Sequence, residues 1–341
     1  MIRSLRRFSL AIAAVGAATV MAGSTPPAAP PRQAPIPVIL HTDIGAWIDD
    51  TWALVTLLKS PEVDLRLVVT DSGNTVYRAR IVARLLEIAG RTDIPIAIGP
   101  KESDEEGGQA EWVRGYDLAR YSGSVYSDGV QAVIDVVTAS ETPVTLVSIS
   151  PNSTLKAALE RAPGITRKLR LAGMYGSLRR GDGGKPGAEP EWNVKFNPAA
   201  ARAVLGAPWL EAVMTPLDTC GVVRLSGARY ARIRDANDPL LQALVENYRL
   251  WCPHQEAQVC VAESVAVTSS TLYDTVAVYL AFARDFVQTE TFGVRVTEDG
   301  LTVEDATRPP ITWATGWTSL DAYEEWLASR LTAPTVPRPG R

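Results

Sequence analysis

The stretch ILHTDIGAWIDDTWALVTLL, residues 39–58, decides how the chain is expected to fold. An apolar run typical of a buried strand ends at Asp43, and a helical pattern begins at Asp49 and Asp50. A helix N-terminus favours aspartate, so a capping role would explain one of these acids. Three acids within eight positions also repel one another, and a cation with oxygen ligands would offset that repulsion. The stretch therefore predicts a strand, a helix and a candidate cation site between them.

The alternation of strand and helix patterns continues along the chain. VDLRLVVTD (63–71) and PVTLVSIS (143–150) are typical of strands, whereas VYRARIVARLLEIAG (76–90) and NSTLKAALERAP (152–163) have helical spacing. Strands that alternate with helices predict an α/β fold with a mostly parallel central sheet and helices on both faces. In such a sheet the ligand site lies beyond the carboxyl ends of the strands.

Composition narrows the class of function. The chain has 341 residues, a formal net charge of −4 and 21% charged residues, so it lacks the basic excess that nucleic-acid binding requires. We therefore expect no nucleic-acid polymer as a partner. The chain has only two histidines, His41 and His254, and the spacing of its cysteines fits no zinc pattern. A hard cation such as calcium is favoured over zinc or copper.

The N-terminus predicts export. Arginines at positions 3, 6 and 7 precede an apolar run over residues 8–21, and small residues lead to a cleavage site after Ala22. The run is too short for a membrane span, so we expect a periplasmic or extracellular protein without a stable membrane anchor. The predicted division is a signal peptide (1–22), a Pro-rich linker (23–36), a single domain (37–330) and a flexible tail (331–341). The sequence leaves open the choice between the general and the twin-arginine route.

Export permits a disulfide among the three cysteines. Cys252 and Cys260 enclose seven residues, and the sequence leaves open whether they pair. Cys220 would then be a free thiol within the core.

Several segments together carry a resemblance. HTDIGAWIDDTWAL (41–54) resembles the aspartate-rich opening turn of the inosine–uridine-preferring nucleoside hydrolases. VVTDSGNT (68–75), VSISPNSTLKAAL (147–159), EPEWNVKFNPAAA (189–201) and STLYDTVAVYLA (270–281) are similar to later segments of that family, in the same order. The chain is identified as a divergent, exported member on this ordered set, which covers most of residues 37–285.

The resemblance implies a calcium-dependent enzyme that hydrolyses the N-glycosidic bond of ribonucleosides to ribose and free base. It implies Asp43 as the general base on a metal-bound water, and it makes a homo-oligomer possible by analogy. The metal ligands that it implies are Asp43, Asp50, Ser153 through its backbone carbonyl, and Asp274. The substrate-binding residues that it implies are Asp49, Asn74, Glu191, Asn193 and Tyr273.

The chain departs from the family pattern at several positions, including the following three. His41 replaces the first aspartate of the opening turn, Trp47 replaces an acid, and Tyr273 replaces a histidine tied to protonation of the leaving group. Tyrosine, with a reference pKa of about 10, is a weak acid at neutral pH, so we expect Tyr273 to stack or pack instead. We expect His41 to hydrogen-bond an aspartate. Asp71, in TDSG, fits an ordinary turn.

These departures support an alternative. The chain would then be an exported protein of the same fold that binds calcium and a ribosyl ligand, with weak or lost hydrolase activity. The sequence does not indicate the preferred base, the acid that protonates the leaving group, or the oligomeric state.

Overall fold

A mixed sheet lies at the centre of the computed structural model, which describes residues 34–257 and 259–337. Within those residues nine strands form the sheet in the order β4-β3-β2-β1-β5-β6-β7-β11-β8, and β9 pairs with β10 separately. All neighbours in the large sheet are parallel except β11 and β8. The strands are β1 (Ile36–Thr42), β2 (Val63–Thr70), β3 (Ile96–Ile98), β4 (Val125–Tyr126), β5 (Val144–Ile149), β6 (Leu169–Met174), β7 (Glu211–Thr215), β8 (Val287–Phe292), β9 (Val294–Val296), β10 (Thr302–Glu304) and β11 (Ile311–Trp317).

Helices cover both faces of the sheet, as the sequence predicts. They are α1 (Asp49–Leu58), α2 (Thr75–Ile88), α3 (Gly129–Ala139), α4 (Ser153–Arg161), α5 (Trp192–Phe196), α6 (Pro198–Leu205), α7 (Leu217–Cys220), α8 (Gly227–Arg234), α9 (Pro239–Trp251), α10 (Tyr273–Leu280) and α11 (Leu320–Leu331). Alternate residues of β1 divide between two cores, because successive side chains of a strand point to opposite faces. Val38 and Leu40 pack in the core that contains α1, α2, α9, α10 and α11, whereas Ile39 packs with α3, α4 and α6.

Helix ends follow local signals in the sequence. The side chain of Asn74 accepts a hydrogen bond from the backbone of Tyr77 at the start of α2, and Gly90 follows that helix with a φ of +65°. Asp238 caps α9 in the same way, with Pro239 as its first residue. These caps fix where the predicted helices begin and end.

The order of the strands positions the site. From β1 the chain proceeds outward through β2, β3 and β4, and it then returns to place β5 on the other side of β1. The carboxyl ends of β1 and β5 therefore border the crevice where ligands bind in open parallel sheets. The acid-rich turn that follows β1 opens into this crevice.

Asp71 fastens the loops at this edge of the sheet. Its Oδ1 accepts hydrogen bonds from the backbone and hydroxyl of Thr154, at 2.8 and 2.6 Å, and its Oδ2 accepts from Ser150 and the backbone of Ser153. His41 Nε2 lies 3.2 Å from Asp71 Oδ2, so the histidine contacts an aspartate, whereas the expected hydrogen bond between them stays a prediction. Burial alone would raise the pKa of Asp71, but the attraction of His41 and the donated hydrogen bonds hold it well below its usual range.

The C-terminal segment returns to α1. The buried ammonium of Lys59 donates to the carboxylate of Asp238 and to the carbonyl of Ala333. The backbone of Val336 donates to Leu58. The predicted flexible tail over 331–341 is thus bound to the domain as far as Val336, while residues 338–341 lie outside the described residues.

Further predictions concern the chain ends and the cysteines. From Ala34 onward the chain forms one compact unit, and the predicted signal peptide and most of the linker lie outside the described residues. Cys252 and Cys260 form a disulfide, the pairing that the sequence left open, and Cys220 is a buried free thiol. No helix among the described residues has the length and apolar character that a membrane span requires.

We predict that Asp71→Ala lowers the free energy of unfolding by about 3–5 kcal/mol, because it leaves several buried donors and His41 without their shared acceptor. Urea unfolding followed by circular dichroism would measure the loss. Asp135→Ala, at an exposed position of α3, is the control and should change stability by less than about 0.5 kcal/mol. A loss below about 1 kcal/mol for Asp71→Ala would contradict the role assigned to this carboxylate.

Candidate active site

A cavity of about 260 Å³ opens at the carboxyl edge of the sheet. Aromatic and apolar side chains form part of its lining, and the remainder is strongly acidic. The acids that line it are Asp43, Asp49, Asp50, Asp182, Glu189, Glu191 and Asp274. Such a concentration of carboxylates in one cavity is typical of a site for a cation or for a positively charged transition state.

Three of these acids converge at two helix N-termini. Asp49 and Asp50 begin α1, Asp274 is the second residue of α10, and the two helices pack against each other. One carboxylate oxygen from each residue lies within 4.8 Å of the others, and all three side chains are buried. The Oγ1 of Thr42 donates to Asp50 Oδ1 at 2.5 Å and thereby orients it. The donor set consists of hard oxygen atoms, so these residues fit a hard divalent cation.

Asp43 lies in the same cavity, at the end of β1. The guanidinium of Arg78 fixes its backbone by donating to the carbonyls of Ser72, Asp43 and Ile44. Burial raises the pKa of the Asp43 carboxyl to about 6, against the opposing attraction of Arg78. A carboxylate with that pKa is largely ionised at neutral pH and still able to accept a proton.

The three clustered acids, Asp49, Asp50 and Asp274, also hold protons more tightly than usual. Burial raises the pKa of Asp49 to about 7, although a hydrogen bond shared with Asp274 lowers it. Burial and the neighbouring carboxylates raise the pKa values of Asp50 and Asp274 well above their usual range. This shift has a direct physical cause, because like charges in a buried cavity disfavour ionisation. A cation at this place would reverse it.

Glu191 and Asn193 form another wall. Glu191 precedes α5 and accepts hydrogen bonds from the backbone of Gly176, Asn193 and Val194. Burial raises its pKa to about 7 in spite of these donors. The amide of Asn193 donates to the carbonyl of Met174 at 3.1 Å. Both side chains are held rigidly beside the acidic cluster, as a site for sugar hydroxyls would require.

Aromatic residues also line the cavity. Trp47 meets Tyr273 edge-on, with ring centroids 6.5 Å apart, and packs on Trp251 at 5.7 Å. The indole of Trp251 donates to the carbonyl of Ala46 in the acid-rich turn. Trp192 also lines the cavity and is 52% exposed. Flat apolar faces of this kind suit a planar ring.

The structure thus brings together most of the site residues predicted from the sequence. Among those predicted, the residues that line the cavity are Asp43, Asp49, Asp50, Glu191, Asn193, Tyr273 and Asp274. Asn74 and Ser153 are not among the lining residues. Asn74 caps α2 and its amide donates to the carbonyl of Asp104, while the backbone of Ser153 donates to Asp71. Their direct roles in the site stay predictions.

Two acids line the cavity although the sequence did not indicate them as site residues. Asp182 and Glu189 belong to the segment LRRGDGGKPGAEP (178–190), whose composition indicates only a surface loop. The available signal was the abundance of glycine and acid in one short loop before EPEWN. Asp218, which follows β7, reaches this loop by accepting hydrogen bonds from the backbone of residues 178–180.

Comparison with known proteins agrees with this geometry. Residues 38–326 match the family model described as inosine-uridine preferring nucleoside hydrolase. The chain belongs to this family. The predicted family, the α/β fold and the class of enzyme, a nucleoside hydrolase, are therefore confirmed.

Individual relatives of this nucleoside hydrolase are distant in sequence. It is 29% identical to the pyrimidine-specific ribonucleoside hydrolase RihA of Enterobacter sp. (strain 638) over 238 residues, which are 65% of this chain and 73% of that protein. It is 31% identical to the non-specific ribonucleoside hydrolase RihC of Klebsiella pneumoniae over 228 residues, or 63% and 72% of the two chains.

Solved structures share the fold of this nucleoside hydrolase. The plant nucleoside hydrolase PpNRh1 superposes with a TM-score of 0.73 and 22% identity, over 88% of this chain and all of the other. The purine-preferring ribonucleoside hydrolase from Gardnerella vaginalis superposes with a TM-score of 0.71, again with 22% identity, over 87% and 98%.

We predict that the stability of the metal-free hydrolase falls as the pH rises from about 5 to about 8. The folded pKa values of Asp43, Asp49 and Glu191 are raised to about 6, 7 and 7, so the folded chain binds more protons in this range than the unfolded chain. A divalent cation competes with those protons and should stabilise the protein more at the higher pH.

Thermal denaturation with a chelator, and with excess calcium, would measure both effects. Asp274→Asn should reduce the rise in Tm that we expect from calcium, whereas Asp135→Asn should not. A chelated protein whose Tm increases over this range, or a calcium effect that is independent of pH, would contradict the prediction.

Proposed function

We propose that this chain hydrolyses the N-glycosidic bond of ribonucleosides and that calcium is its cation. The observation that carries the proposal is the convergence of Asp49, Asp50 and Asp274 beside Asp43, in a cavity that also holds Glu191 and Asn193. The names of the relatives support a ribonucleoside as the substrate. They do not agree on the base, since one is named pyrimidine-specific, one non-specific and one purine-preferring.

The donor set supports calcium as the cation. Calcium takes about six to eight oxygen ligands in flexible geometry, whereas zinc prefers four ligands rich in nitrogen or sulfur. Asp50 and Asp274 would hold the ion together with Asp49, whose carboxylate lies within 4.8 Å of theirs, while Asp43 and the carbonyl of Ser153 stay predicted further ligands. When bound, the ion would supply positive charge that acidifies water in the cavity and attracts ribose hydroxyls.

The side chains of the cavity suit the reaction. Asp49, Glu191 and Asn193 would hold the ribose, so that its anomeric carbon faces Asp43. Asp43 would take the proton from the attacking water as the general base, for which a pKa of about 6 is appropriate. Positive charge develops on the sugar as the bond to the base breaks, and the surrounding carboxylates stabilise it.

Tyr273 is not arranged as the acid that protonates the leaving base. Its hydroxyl donates to Asp182 Oδ1 at 2.6 Å, and burial together with this acceptor raises the pKa of Tyr273 further above its usual value. This observation agrees with the expectation that Tyr273 contacts the base without donating its proton.

We also propose that the chain is exported by residues 1–22 to the periplasm or the extracellular space. The Cys252–Cys260 disulfide supports this location, because disulfides persist mainly in oxidising compartments. Cell fractionation and mass spectrometry of the mature N-terminus would test it, with a chain that lacks residues 1–22 as the control. Recovery of the uncleaved chain in the cytoplasm would contradict it.

We predict that Asp43→Asn lowers kcat by at least about 10²–10⁴-fold, because the amide cannot accept the proton from water. Release of ribose and of free base from purine and pyrimidine ribonucleosides would be measured with calcium and with a chelator. Asp135→Asn is the matched control and should retain the wild-type rate. Calorimetric binding by the wild type without release of ribose would favour the alternative of a binding protein, and an unchanged rate in Asp43→Asn would exclude the proposed base.

A further inference from the structure

Two carboxylates of the cavity, those of Asp182 and Glu189, have no part in the proposed chemistry. Asp182 lines the cavity, and its Oδ1 accepts the hydroxyl proton of Tyr273. Asp182 forms no ion pair with a cationic side chain among the residues that the structure describes. A carboxylate in such a position can still accept hydrogen bonds from a ligand.

The loop that carries Asp182 is fastened on both sides. At its start, the carboxylate of Asp218 accepts hydrogen bonds from the backbone of residues 178–180. At its end, Glu189 Oε1 accepts a hydrogen bond from the backbone N–H of Asp182 at 2.7 Å. The backbone N–H of Glu189 donates in turn to the hydroxyl of Ser177 at 3.0 Å. The backbone of Gly183 also donates to the carbonyl of Gly221. The carboxylate of Asp182 is therefore positioned before any ligand binds.

Asp182 lies in the part of the cavity that is left for the base of a nucleoside. Asp274, which belongs to the acidic cluster, directly follows Tyr273 in α10, so the cluster and the Tyr273–Asp182 pair lie side by side. The ribose is assigned to the cluster, and the rings of Trp47 and Tyr273 remain for a planar base. The two rings are nearly perpendicular, so a flat base would stack on one of them. A base on the Tyr273 ring would lie beside the Asp182 carboxylate, because that carboxylate accepts the Tyr273 hydroxyl proton at 2.6 Å.

The pair presents only acceptors to that edge. Tyr273 gives its proton to Asp182, which leaves lone pairs on the phenol oxygen and on the carboxylate. A complementary base must therefore carry N–H donors. Guanine carries two adjacent donors, N1–H and the 2-amino group, which one carboxylate can accept together, whereas hypoxanthine lacks the amino group.

We propose that Asp182 is a specificity-determining residue that accepts hydrogen bonds from the N–H edge of the base, and that it makes this chain prefer guanosine to inosine. Tyr273 acts as a positioning residue that orients the carboxylate. The inference rests on the proposed hydrolysis of ribonucleosides. It concerns the base alone and leaves the ribose and cation sites as described.

The test compares kcat/KM for guanosine and inosine in the wild type, Asp182→Asn and Tyr273→Phe. One hydrogen bond to a charged group predicts a wild-type preference for guanosine of roughly tenfold to a hundredfold. The ratio of kcat/KM for guanosine to that for inosine should fall towards one in Asp182→Asn, since the amide replaces one acceptor by a donor. The same ratio should fall by less in Tyr273→Phe. Asp135→Asn should keep the wild-type ratio. Equal rates for the two nucleosides in the wild type, or an unchanged ratio in Asp182→Asn, would overturn the inference.

A second substrate separates this inference from the proposed function. The leaving group of 4-nitrophenyl riboside carries no N–H donor, so its hydrolysis by the wild type reports the ribose and cation sites alone. Hydrolysis of this riboside without a preference for guanosine would overturn only the role of Asp182. If neither the riboside nor the nucleosides are hydrolysed, the proposed function fails. Calorimetry would then compare the Kd values of guanosine and inosine, and equal values would overturn the inference as well.

Discussion

The crowding of negative charge at the end of β1 is the constraint on which the rest of the site depends. Asp49, Asp50 and Asp274 are buried within reach of one ion, and Asp43 shares their cavity. The desolvation of several like charges is strongly unfavourable unless protons or a cation compensate for it. The N-termini of α1 and α10 supply partial positive charge. The guanidinium of Arg78 supports the acid-rich turn by donating to the backbone carbonyl of Asp43. A rigid parallel sheet holds this unfavourable arrangement in place.

Buried carboxylates serve two different purposes in this fold, and their hydrogen-bond donors distinguish them. Asp71 accepts several hydrogen bonds at the edge of the sheet, and its pKa is lowered. Asp50 and Asp274 are equally buried but mainly face other acids, so their pKa values are raised. Asp71 therefore remains charged and fastens loops, whereas the other two would exchange protons for a cation. Glu191 has features of both groups, since its carboxylate accepts three backbone hydrogen bonds and its pKa is still raised.

Much of the fold could be predicted from the sequence because it depends on local patterns. The apolar runs of β1, β2 and β5 and the helical spacing of α2 are visible within a few residues, and the acids after β1 indicate the site. The role of Asp71 was not visible, because its partner Thr154 lies 83 residues further along the chain. A local turn pattern carries no information about such a contact.

The loop of Asp182 was beyond prediction for a related reason. Glycine and charge indicate exposure, but the loop turns inward because Asp218 accepts hydrogen bonds from its backbone. The strands β8–β11 also received no prediction. For Asn74 and Ser153 the family resemblance predicts more than the structure displays. It assigns both residues to the site, whereas their observed hydrogen bonds cap α2 and bind Asp71.

The return of the C-terminal segment to α1 has a consequence for synthesis of the chain. β11 inserts between β7 and β8, and Val336 donates to Leu58 at the end of the helix that begins with Asp49. The helix that carries the first acids cannot reach its final environment until the ribosome has released residue 336. A shorter nascent chain lacks both β11 and the contact of Val336 with α1, so its sheet and its acid-bearing helix stay incompletely packed.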